Sequence, residues 1–189
     1  MNARTSTATQ DDAWPSNRRV AWTFLRVVGS VILLVTLYYV LPLDRSSTTL
    51  TVTMLVIGLA GFVALVAFQV RTIVTSPYPA LRAVEGLATS VPFFLLLFAA
   101  AYVALADLSP TSFGEHLTHS DGLYFTVTVF STVGFGDITA KTEMARLVVT
   151  GQMITNPIIY GVAIKVFVRA VRRAQRRKAE PGGLRSERD

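Results

Sequence analysis

Four blocks without a charged side chain limit what this chain can fold into more than any other feature. They cover residues 27–43, 46–70, 86–106 and 147–164, which are 17, 25, 21 and 18 residues long. A bilayer's hydrocarbon layer is crossed by a helix of roughly 20 apolar residues, within a range of about 17–25. Inside lipid, backbone N–H and C=O groups must be paired within the protein, and a helix does this within one segment. The mean hydropathy of +0.47 is high for a water-soluble domain. The sequence therefore predicts an all-α membrane protein with four transmembrane helices, near 21–42, 49–70, 86–107 and 146–170. The first block is not a signal peptide. Its apolar run is too long, Tyr38 and Tyr39 stand where small residues belong, and no Ala-x-Ala site follows. The chain has no Cys, so disulfides and thiolate metal sites are excluded. Arg far outnumbers Lys, which points to a GC-rich bacterial source.

The net charge of +6 matters less than where the charge lies. With an inward N-terminus and four crossings, 15 of the 18 basic residues fall on the cytoplasmic side, leaving Arg45, Lys141 and Arg146 outside. The positive-inside rule thus favours a multi-pass protein of the cell membrane with both termini in the cytoplasm. On the outer side, the stretch 107–143 carries Asp107, Glu115, Asp121, Asp137 and Glu143 against a single base, Lys141. An outer vestibule of that sign concentrates cations.

That same stretch holds the most specific motif. Ser120 or Asp121 is placed to cap a helix start. The run 124–131, Tyr-Phe-Thr-Val-Thr-Val-Phe-Ser, is too short to span and could be a strand by composition. An isolated strand at membrane depth would leave its backbone unpaired, so a short re-entrant helix over 121–131 is the better reading. Its carbonyl end would face inward, which favours a cation. Thr132-Val133-Gly134-Phe135-Gly136-Asp137 follows directly. Gly-x-Gly lets alternate residues reach positive φ, so that successive carbonyls can face one axis. Thr132 can add a hydroxyl oxygen at the inner mouth.

Residues 121–137 resemble the pore helix and selectivity filter of the potassium-channel superfamily, whose established filter is a Thr-Val-Gly-Tyr-Gly loop. Within them, Leu123-Tyr124-Phe125-Thr126-Val127-Thr128 resembles the small bacterial four-transmembrane, one-pore ion-channel proteins. The resemblance implies that K+ is held by the main-chain oxygens of Thr132, Val133, Gly134 and Phe135 with the Thr132 hydroxyl. Gly136 and Asp137 would form the outer mouth, and Tyr124, Phe125 and Thr128 would support the filter from the pore helix. Three departures stand out. Phe135 replaces the commoner Tyr, Tyr124 and Phe125 stand where many relatives carry Trp, and no pore-helix Glu faces Asp137. These departures predict an aromatic cuff held by packing more than by hydrogen bonds. One filter segment supplies a quarter of a ring, so a homotetramer is implied.

The domain reading is then a disordered cytoplasmic N-terminus at 1–19, two transmembrane helices in 20–70, a cytoplasmic linker at 71–85 and a pore domain at 86–170. The pore domain divides into an outer helix at 86–107, the pore helix at 121–131, the filter at 132–137 and an inner helix at 145–170. A basic cytoplasmic tail occupies 171–189. In the inner helix, Asn156-Pro157 marks a hinge, because Pro removes a helical hydrogen bond. Asn156, Tyr160, Ile164 and Val168 share one face at i, i+4 spacing, and Asn156, Pro157, Tyr160 and Ile164 are the gate and cavity candidates. Lys165 is placed to snorkel toward the interface. Arg169, Arg172, Arg173, Arg176 and Arg177 form a topogenic anchor or a surface for anionic lipid. Gly58 and Gly61 suggest close packing of the second helix. His116 and His119 read as solvated loop residues.

The function read from this pattern is passive, potassium-selective conduction without a voltage sensor, since the first two helices lack repeated Arg. The alternative is a weakly selective monovalent cation channel or the pore subunit of a cation transport complex. A membrane enzyme would need catalytic groups at membrane depth, and the spans offer only Glu85 near one end. No cofactor is implied beyond K+ as permeant ligand. The partners implied are further copies of the chain and membrane lipid, not nucleic acid.

Overall fold

The computed structural model of the protein describes residues 17–40, 48–75 and 79–179. They form α1 (Asn17–Val40), α2 (Thr48–Thr75), α3 (Pro79–Leu108), a single 3-10 turn at Pro110–Ser112, α4 (His119–Phe130) and α5 (Glu143–Ala179). Among the described residues there is no β-strand. The stretch 124–131 is helical to Phe130, as the pairing argument requires at membrane depth.

Three helical stretches are long and apolar enough to cross a membrane, Thr49–Ile73, Arg82–Leu108 and Glu143–Val168. The fourth predicted crossing, in α1, has a shorter apolar stretch, Phe24–Val40. Its 17 residues lie at the lower limit for a span of about 17–25. Helix ends also differ from the sequence reading. The segment 71–85, read as a linker, is helical up to Thr75 and again from Pro79, because Pro at the first helical position lacks only an N–H that would be unpaired anyway. Residues 17–19, assigned to a disordered terminus, open α1, and residues 1–16 lie outside those described. The tail is helical through Ala179.

α3 is the hub, packing against α1, α2, α4 and α5. Aromatic rings link these layers. Phe62 of α2 stacks on Phe93 of α3 at 5.6 Å, Phe94 and Phe98 of α3 pair at 4.8 Å, and Phe130 of α4 meets Tyr160 of α5 at 5.0 Å. One core cluster joins Tyr102, Phe113, Leu117, Phe125, Val129, Ala145 and Val149 around the base of α4. Gly122 sets how closely α4 approaches α3, since a Cβ there would stand 2.6 Å from Val103 Cγ2. Gly58 similarly brings α2 near Leu97, whereas Gly61 faces open space, so only the first of the two predicted packing glycines packs.

Candidate functional site

α4 begins with a capping box. Thr118 is the N-cap, its Oγ1 accepting from the Asp121 N–H at 3.2 Å, while its own N–H donates to Asp121 Oδ2 at 2.9 Å. The cap therefore precedes the predicted Ser120 or Asp121, and Asp121 acts as the reciprocal acceptor. The 12 residues of α4 give a length of about 18 Å, well short of a bilayer core. α1 holds this start in place. The Tyr38 hydroxyl donates to the His119 carbonyl at 2.6 Å, and the His119 ring stacks on Tyr39 at 6.0 Å. His119 is thus packed against a tyrosine pair rather than solvated, while His116 is exposed.

At the other end of α4 the chain reverses. Thr128 O accepts from the N–H groups of Val133 at 3.0 Å and Gly134 at 3.3 Å, and Thr132 N–H donates to Val129 O at 3.3 Å. The Thr128 side chain is buried, its hydroxyl donating to Phe125 O at 2.8 Å. Beyond the turn, φ is +60° at Thr132, +53° at Gly134 and +83° at Gly136. The alternation expected of the two glycines thus begins one step earlier, at a β-branched residue for which positive φ is costly. Such strain persists only where the surroundings impose it, as the bonds from Thr128 and Val129 do here. Residues 131–137 are exposed in the protomer.

Tyr124 and Phe125 point in opposite directions. Phe125 is buried against Tyr102 and Phe113, at 5.1 and 5.6 Å, and anchors α4 to the outer helix. Tyr124 faces the loop. Its ring lies parallel to that of Phe135, with 6.3 Å between centroids, and its hydroxyl donates to Asp137 Oδ2 at 2.8 Å. This bond, supported by backbone N–H groups at Ile138 and Asp137, holds the Asp137 carboxyl below its ordinary range. The cuff expected to be held by packing more than by hydrogen bonds thus has both, a ring stack and a hydrogen bond from the same Tyr124. Tyr124 supplies the polar tie that Phe135 and the missing Glu do not.

Beneath the loop, Thr128, Val129, Thr132 and Gly134 border an open cavity of about 340 Å³, closed from below by Met153, Asn156, Pro157 and Tyr160. Asn156 is buried and donates from Nδ2 to Val129 O at 3.3 Å, while its Oδ1 has no partner. One turn earlier, Gln152 is fully buried, accepting from the Tyr102 hydroxyl at 2.6 Å and donating to Thr126 O at 3.0 Å. Gln152 and Asn156 therefore bind α5 to the carbonyls of α4.

Residues 90–173 match the protein family described as "Ion channel". This segment is an ion-channel domain. The match covers α4, the loop after it, most of α3 and most of α5. No curated protein and no solved structure matches the chain. The apolar helices and this domain make the chain a membrane protein.

Within the channel domain, the structure brings Thr132 and Gly134 to the same cavity as Asn156, Pro157 and Tyr160. It does not bring Ile164 there; that residue is exposed one turn beyond Tyr160 on α5. α5 runs unbroken through Pro157, so the residue sits inside a continuous helix. Arg172 is exposed, and the side chains of Arg169, Arg173, Arg176 and Arg177 lie outside those described. Tyr102 and Gln152 escaped the sequence reading. Gln152 had a signal, since it lies one turn before Asn156 in a charge-free stretch, and amide side chains there face the protein interior.

Proposed function

We propose that this protein is a potassium-selective channel in which four copies surround one pore. One observation carries the reading. A chain segment with alternating positive φ, exposed in the protomer, links a half-length helix to one long and apolar enough to span a membrane, and in this reading it lies at membrane depth. Irregular backbone at that depth is tolerated only where protein buries it or water meets it. A ring of such segments satisfies this condition, with carbonyl oxygens replacing the ion's water as in potassium-channel filters. Thr132, Val133, Gly134 and Phe135 supply the oxygens, and Gly136 and Asp137 hold the outer mouth. Passage is passive and needs no cofactor. The tail arginines, of which Arg172 is exposed, face anionic lipid at the cytoplasmic surface, with both termini on that side.

Purified protein in liposomes should pass K+ far faster than Na+, and Ba2+ should block the flux. Equal flux of the two alkali ions would sink the claim of selectivity. Gly134→Ala places a Cβ at φ +53°, a conformation costing roughly 1–2 kcal/mol for an L-residue. It should abolish current while leaving assembly intact, and normal current in that variant would show that the filter lies elsewhere.

A further inference from the structure

Away from the pore, a cleft opens between α1, α2 and α3 at the end of the bundle where the basic residues collect. Its mouth holds Arg26 from α1 with Arg82 and Glu85 from α3. Glu85 is nearly enclosed, its side chain 12% exposed, and it accepts from Arg82 Nη1 at 2.8 Å. Arg26 Nε stands 3.9 Å from the other carboxylate oxygen and is 60% exposed. At that distance the contact is Coulombic rather than a hydrogen bond. The three groups carry one uncompensated positive charge. Below them the wall is apolar, made by Leu65, Phe68 and Ile73 of α2, with Phe68 largely uncovered. The polar floor is tied off internally, since the Ser90 hydroxyl donates to Gln69 Oε1 at 2.6 Å.

We propose that this cleft binds a singly anionic phospholipid, its phosphodiester between Arg26 and Arg82 and an acyl chain along Leu65, Phe68 and Ile73. The charge argument selects the headgroup. One phosphodiester neutralises the cleft, while a zwitterionic headgroup leaves the excess positive charge in place. Guanidinium groups suit phosphate oxygens because their N–H donors lie in one plane and fork. Glu85 holds Arg82 in position before the lipid arrives, which lowers the ordering cost of binding. The apolar wall beside a basic mouth matches a lipid better than free phosphate, which has nothing to place against Phe68. A lipid seated there would bridge α1 to the α2–α3 pair beside the Arg26–Glu85 ion pair.

The test uses the full chain in neutral detergent, with native mass spectrometry counting bound phosphatidylglycerol and phosphatidylcholine of matched acyl chains. Wild type should prefer phosphatidylglycerol. The preference should survive neutralisation of Arg169, Arg172, Arg173, Arg176 and Arg177 to Gln, and fall about tenfold when Arg26→Gln and Arg82→Gln are added, the loss expected for a charge-assisted hydrogen bond. Glu85→Gln raises the local charge while its amide oxygen can still accept from Arg82, so it should tighten binding, and weaker binding would overturn the charge argument. Should the double variant misfold, Arg26→Gln alone alters an exposed side chain and should still weaken binding several-fold. Loss of preference on tail neutralisation alone overturns the proposal. So does competition by millimolar inorganic phosphate, which would make the cleft a soluble-anion site, or unchanged binding in Arg26→Gln. The readout is binding, so its outcome is independent of whether the pore selects K+.

Discussion

Tyr124 and Asp137 are 13 positions apart in sequence and 2.8 Å apart in space. Each alone has a mundane reading, an aromatic on an apolar helix and an acid in an acidic loop. Their pairing exists only because Thr128 O captures Val133 and Gly134 and turns the chain back on itself. Side-chain identities at the familiar positions suggested packing more than hydrogen bonding, since neither a filter Tyr nor a pore-helix Glu is present. What the residues lacked in one place they supply in another. Tyr124→Phe keeps the ring parallel to Phe135 and removes only the donor. Its K+ current should decay faster during sustained opening than that of wild type, at equal tetramer yield, in single-channel recording. Because the folded-state value of Asp137 is lowered, its contribution is present above the ordinary carboxylate range. It is lost only as pH falls through the lowered value. Wild-type filter behaviour should therefore be unchanged by outer acidification from pH 7 to about 5, well above an unperturbed Asp value of about 3.9. A midpoint between those two pH values would contradict the tie.

Between elements, the decisive contacts are polar groups buried among apolar helices. Three of the four predicted spans were legible, since charge-free length is a property of the sequence alone. So was α4, through the argument that a short run at membrane depth must pair its own backbone. What could not be read was how α5 recognises α4. Gln152 satisfies Tyr102 and Thr126 together, and its role depends on two partners that local sequence does not name. Nor could the cap at Thr118 be told from its neighbours, because Thr118, Ser120 and Asp121 offer the same chemistry within four positions. Gln152→Leu preserves volume and orphans a buried hydroxyl on Tyr102. The expected cost is about 1–3 kcal/mol for that desolvated group. The thermal midpoint of the purified protein should fall by several degrees, whereas Gln152→Glu should fall further because it buries a charge. An unchanged midpoint in both variants would mean that α5 is held to α4 by apolar packing alone.

At the scale of the whole molecule, one protomer leaves its most specific segment uncovered. Phe135 is 70% exposed and Val133 53%, and α5 presents Ile154, Ile158 and Phe167 outward. Lipid can cover the apolar side chains of α5, but it cannot satisfy exposed backbone at 132–136. Further copies placed around an axis through that segment satisfy both, with Asp137 tied back to Tyr124 so that the carbonyls rather than the carboxylates meet the ion. Cyclic closure by four makes a quantitative prediction. If wild-type and Gly134→Ala chains assemble at random in equal amounts, and one altered filter strand disables the ring, about one-sixteenth of channels contain four intact chains. A two-chain pore would leave about one-quarter. Macroscopic K+ current at matched total expression distinguishes these, with native mass spectrometry of the same preparation giving the mass, near 82 kDa for four chains of 20.6 kDa. Current that falls only by half, in proportion to the intact chains, would mean that each protomer conducts by itself. The exposed backbone of residues 132–136 would then need some other cover.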